Sequence, residues 1–160
     1  GFYRLPLSYL DDFTGKVALV TGGSRGLGYQ MVKAFAERGA DVIIASRKLE
    51  NCETVAGEVR AMGRKALAIG AHVGKWDECD RVIEEAYAAF GKLDILICNA
   101  GMSPPAPSHE VTEQLFDSVV NLNFKGPFRM NTQVAKRMFD ADGGCIINVT
   151  SSGSLMPLPV

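Results

Sequence analysis

No apolar run in this chain approaches the roughly 20 residues that cross a membrane, and its first residues show no basic region followed by an apolar one. Charge of one sign is also missing: the net charge is -1, which leaves no general basic footprint for nucleic acid or an anionic membrane. The four cysteines, Cys52, Cys79, Cys98 and Cys145, include no C-x-x-C pair. With Cys98 and Cys145 in predicted buried strands, they read as reduced structural thiols rather than disulfides or a metal site. No low-complexity linker interrupts the 160 residues, 47% of which are hydrophobic, so one domain with a sizeable core is expected. The expectation is a soluble cytoplasmic protein.

What is present is organised around Thr21-Gly22-Gly23-Ser24-Arg25-Gly26-Leu27-Gly28. The apolar run Val17-Ala18-Leu19-Val20 before it reads as a parallel strand buried on both faces. After it, Leu27, Met31, Val32, Phe35 and Ala36 follow helical spacing to a stop at Gly39. In such a strand–turn–helix unit, Gly22 takes backbone angles closed to other residues, Gly26 lets the main chain approach a ligand, and Gly28 brings the helix close to the strand. The helix start then offers free N–H groups and a positive dipole end, to which a pyrophosphate is the natural ligand.

Strand and helix continue to alternate. Asp41 to Ser46, Lys65 to Ala71 and Leu93 to Cys98 read as strands, with helices over Leu49 to Met62 and Lys75 to Phe90 between them. Thr112 caps a further helix with an apolar stripe at Leu115, Phe116, Val119, Val120 and Leu122. A longer helix from about Asn123 to Phe139 follows, and Cys145 to Thr150 is the fifth strand. The predicted fold is α/β, a Rossmann-type doubly wound parallel sheet with helices on both faces, ending after the fifth strand. Residues 1–12 read as an extension and residues 13–160 as the domain.

The turn spacing G-x-x-x-G-x-G, preceded by Thr21, resembles that of the short-chain dehydrogenases/reductases. Asn99-Ala100-Gly101, ending the fourth strand, is similar to the same family's Asn-Ala-Gly motif. Both strand ends fall on the carboxyl edge, where open α/β sheets bind ligands. The second strand ends in Ser46-Arg47-Lys48 without a carboxylate, which suits the 2′-phosphate of NADP rather than the ribose hydroxyls of NAD. Arg47 offers a planar fork of donors and Arg25 rises beside it from the glycine turn, whereas Lys48 reads as solvated surface.

The resemblance implies a cofactor contact set of Gly22, Ser24, Arg25, Gly26, Leu27, Gly28, Ser46, Arg47, His72, Val73, Asn99, Ala100 and Gly101. It implies that Asn123 supports a water and the active-site lysine, and that Ser151 hydrogen-bonds the substrate carbonyl, with Ser152 as the alternative register. His72-Val73 departs from the family's Asp-Val, which contacts the adenine, and no second ligand accompanies His72 to make a metal site. The family's Tyr-x-x-x-Lys should follow the serine, yet the last tyrosine is Tyr87 and the last lysine Lys136.

The chain therefore reads as the cofactor-binding portion of an NADP(H)-dependent oxidoreductase that interconverts a small-molecule carbonyl and an alcohol. By itself it should lack the proton-transfer step and leave its fifth strand an open edge. A homo-oligomer is expected of the complete protein. The alternative is a non-catalytic module that binds or senses NADP(H).

Overall fold

The computed structural model describes residues 12–151 and 153. Five parallel strands, β1 (Val17–Thr21), β2 (Asp41–Ser46), β3 (Ala66–Gly70), β4 (Ile95–Cys98) and β5 (Cys145–Asn148), form one sheet in the order β3-β2-β1-β4-β5. Helices α1 (Gly26–Glu37), α2 (Leu49–Ala61) and α3 (Trp76–Phe90) are the crossovers of the first half. Helix α4 (Glu113–Val120), a π-helical turn (Asn121–Lys125) and α5 (Gly126–Phe139) connect β4 to β5.

The continuous apolar strands follow from having helices on both faces. Alternate residues of β1, Leu19 on one side and Ala18 and Val20 on the other, enter separate core layers. In one layer Leu19, Ile43, Ile69 and Leu96 meet Val82 and Ile83 of α3 and Met130, Val134 and Met138 of α5. In the other, Val20, Val42, Ile44 and Ile97 meet Val32 and Ala36 of α1 and Val55 and Val59 of α2. The sheet is thus a rigid plate, and its carboxyl edge carries the loops that follow β1 to β5.

Three expectations need correction. Cys145 is exposed, because β5 pairs only with β4 among the described residues and nothing described covers its outer side. That strand also stops at Asn148 rather than Thr150. The apolar stripe of α4 buries no residue: Phe116 is 59% exposed, and Phe124 in the following turn is 70% exposed. Thr112 does cap this helix, its Oγ1 accepting from the Leu115 N–H at 3.2 Å. Of the expected extension only Asp12 is described, and its carboxylate accepts from the Thr14 N–H at 2.9 Å. Ser152 lies outside the described residues.

Candidate cofactor site

The sheet order reverses between β1 and β4, and the two strand ends there are joined by one hydroxyl. Thr21 is buried; its Oγ1 accepts from the N–H groups of Asn99 at 3.0 Å and Ala100 at 3.1 Å and donates to the Ile97 carbonyl at 3.4 Å. The Asn99 amide returns the connection, donating from Nδ2 to the carbonyls of Thr21 at 3.2 Å and Gly22 at 3.4 Å. The Gly22 N–H donates to the Ala45 carbonyl at 2.8 Å, so the glycine turn is held from β2 as well. Each of these polar groups is satisfied across strands, which is what a backbone turned away from regular pairing requires.

Gly22 sits at φ +66° and Gly26 at φ +56°, in the left-handed region that glycine takes without strain. A Cβ on Gly26 would meet nothing within 4 Å. On Gly28 it would strike the Gly22 carbonyl and come within 2.6 Å of Asn99 Nδ2, so the helix rests directly on the turn. Arg25 precedes α1 without a side-chain cap, which leaves the N–H groups of the first helical turn open to a ligand.

Above this turn lies a cleft of about 710 Å³ along the carboxyl edge. Gly22, Ser24, Arg25 and Gly26 line it from the first turn, Ser46 and Arg47 from the end of β2, His72 and Val73 from the loop after β3, and Asn99, Ala100 and Gly101 from the loop after β4. Ser24 donates to Ser46 Oγ at 2.9 Å and so ties the two walls. Arg25 and Arg47 are both exposed on its rim. Leu27 and Gly28 do not line the cleft: Leu27 is 58% exposed on α1 and Gly28 is buried beneath the turn. Lys48, read from sequence as solvated surface, lines it with Asn51, Met102 and Leu122.

Asn123 and Ser151 lie outside the cleft lining. Asn123 stands in the π-helical turn, and its amide grips the Met102 backbone twice, Oδ1 accepting from the N–H at 2.9 Å and Nδ2 donating to the carbonyl at 2.7 Å. The loop after Gly101 is therefore clamped to the helix, a common use of a π-bulge near a site. Ser151 is exposed just beyond β5, and its Oγ accepts from the Gly153 N–H at 3.2 Å.

Sequence reasoning missed the link between these strand ends. Cys98 Sγ donates to Asn131 Oδ1 at 3.4 Å, and Asn131 Nδ2 donates to Asn148 Oδ1 at 3.0 Å, connecting β4, α5 and β5. Burial pushes the Cys98 thiol up to about 12, which keeps it a neutral donor. Asn131 lies between the apolar Met130 and Val134, directly after the first and three residues before the second, a spacing that carries no polar signal.

The parallel sheet, its switch point and the glycine-cradled cleft above it define an α/β protein of Rossmann type. The chain belongs to the short chain dehydrogenase family, whose model matches residues 16–160. It is 35% identical over 148 residues to an uncharacterized oxidoreductase of Thermotoga maritima, a match covering 92% of this chain and 58% of that protein. A short-chain type dehydrogenase/reductase from Mycobacterium marinum superposes with TM-score 0.88 at 33% identity, covering 94% of this chain and 60% of that one. The 3-ketoacyl-(acyl-carrier-protein) reductase of Brucella melitensis, solved with NADH, gives TM-score 0.83 at 36% identity over 91% of this chain and 61% of that one. The chain thus spans about three fifths of the length of these proteins.

Proposed function

We propose that the complete protein is an NADP(H)-dependent oxidoreductase interconverting a small-molecule carbonyl and an alcohol, and that the cleft described above is its cofactor site. The observation that carries this reading is the uncapped start of α1 above a glycine turn, flanked by Arg25 and Arg47. Free N–H groups and a dipole end suit a pyrophosphate. The two guanidinium groups, with no carboxylate at the end of β2, suit a further phosphate on the adenosine ribose.

The cofactor, when bound, supplies or accepts the hydride exchanged with the substrate. The residues of this chain bind and orient it: the turn N–H groups hold phosphate, Ser46 and Arg47 face the ribose, and Asn99 to Gly101 fix the wall beyond the switch point. Ser151 donates to the carbonyl oxygen, where negative charge develops, and Asn123 holds the neighbouring loop in place through Met102. The same proposal takes the complete protein as a cytoplasmic homo-oligomer. Exposed Phe124 and Phe128, at 70% and 53%, support assembly through the turn and α5. No helix among the described residues is long and apolar enough to cross a membrane.

Two substitutions in the complete protein test the reading. Arg47→Asp removes a fork of donors and sets a like charge against phosphate, so NADPH affinity should fall about tenfold in calorimetric titration while NADH affinity holds or rises. Unchanged preference would refute the phosphate role. Ser151→Ala should lower kcat about 10²-fold, as removal of a donor to developing charge does, with NADPH affinity retained. Full turnover by that variant would move the carbonyl donor to another residue.

A further inference from the structure

Beyond the Ser46 and Arg47 wall, the cleft ends at the loop that follows β3, where His72 and Val73 line it. If the ribose lies against the end of β2, the base attached to it is carried outward over the next strand, β3, because the sheet order runs β1, β2, β3 in that direction. His72 is therefore the side chain placed to meet the base.

The backbone of His72 is fixed on both sides. Its N–H donates to Glu78 Oε2 at 3.2 Å, and its carbonyl accepts from the Lys75 N–H at 2.9 Å. The ring is held as well: Nδ1 accepts from the Gly74 N–H at 3.1 Å. The Nδ1–Cε1 edge rests on Gly74, where an added Cβ would come within 2.9 Å of Cε1. A neutral imidazole that accepts at Nδ1 carries its proton on Nε2. Among the described residues Nε2 has no protein partner, and the half-buried ring borders the cleft.

We propose that His72 reads the purine base of the dinucleotide as a hydrogen-bond donor through Nε2–H, so that the cleft accepts a 6-oxo purine at least as readily as a 6-amino purine. The reasoning is a comparison of functional groups. A carboxylate here would accept the Gly74 N–H with one oxygen and offer the second, also an acceptor, to an exocyclic amine. Imidazole fills the first role with Nδ1 and reverses the second, because Nε2 presents a hydrogen. An amine at position 6 cannot accept it well, whereas a 6-oxo group can. The polarity of reading at position 6 is thus set by one residue, and it rests on the assignment of the cleft to a dinucleotide.

The test titrates the complete protein with NADPH and with its hypoxanthine analogue, in which a 6-oxo group replaces the amine. The wild-type protein should bind the analogue at least as tightly as NADPH. His72→Asp keeps an acceptor for the Gly74 N–H and restores an acceptor toward the base, so the ratio of the two dissociation constants should move about tenfold or more toward NADPH. His72→Phe keeps a ring of similar area without the donor, and the advantage of the analogue should disappear. Binding of both dinucleotides with a ratio that neither substitution moves would overturn the donor role and leave the cofactor reading standing. Failure of the wild-type protein to bind either dinucleotide would overturn both.

Discussion

Replacing Gly126 by alanine should cost the protein about 4 kcal/mol or more of stability, a large share of the margin of an ordinary domain. The Cβ would fall on the Val73 carbonyl, and no flexible side chain stands between them to give way. To make room, the start of α5 must leave the loop after β3. That loop is also held by Cys79, whose Sγ donates to the Val73 carbonyl at 3.2 Å. Because α5 places Met130, Val134 and Met138 in the core layer, its displacement opens packing well beyond the collision itself. Thermal unfolding should show the midpoint lowered by about 10 °C or more. Gly57, inside α2 with open space around it, is the control: Gly57→Ala should raise stability by about 0.5 to 1 kcal/mol. Similar midpoints for the two variants would refute the contact at Val73.

The second large effect is expected at Gly28, where Gly28→Ala should reduce NADPH affinity about 10²-fold. The added methyl strikes the Gly22 carbonyl and the Asn99 amide, both of which shape the turn. Relief requires α1 to lift from the turn, carrying its uncapped N–H groups out of position. A displacement of about an ångström in a positioned group is enough for a loss of that order. The core face of α1, Val32 and Ala36, lies further along the helix, so the fold should survive with a smaller loss of about 2 kcal/mol. Titration with NADPH and urea unfolding of the same variant separate the two quantities. Affinity within about threefold of the parent protein would show that the close approach of α1 is dispensable.

The strands and crossover helices were legible because both sheet faces are covered, so that whole apolar runs such as Val42-Ile43-Ile44-Ala45 stand out against polar helix faces. The glycine turn and Asn99-Ala100-Gly101 were legible because their residue types are demanded by backbone geometry. Other features depend on what lies opposite, which periodicity does not report. The spacing of Leu115, Phe116 and Val119 predicts an apolar face, yet none of these residues is fully buried. The π-helical turn begins and ends in helical backbone angles, at Asn121 and Lys125, so the apolar rhythm runs through it without a break. From sequence Thr21 only opens the glycine turn; its pairing across the switch point reveals a buried hydroxyl serving two N–H groups. Cys145 reads as buried because β5 is apolar, but an edge strand buries only the face that its neighbours cover.

The reversal of strand order also divides the molecule by the length of chain that folding must close. On one side of β1, Val17 pairs with Asp41, and β2 continues to β3 through Val42 and Ala66. On the other side, Ala18 must find Ile95 across almost half the sequence. The entropy of closing the longer loop exceeds that of the shorter by about 1 kcal/mol. β1 to β3, which carry Ser46, Arg47 and His72, can therefore assemble from neighbours in sequence, whereas the bonds from Thr21 to Asn99 and Ala100 can form only when the long loop shuts. The hydroxyl that joins the two halves of the cleft is, in time, the latch of the fold.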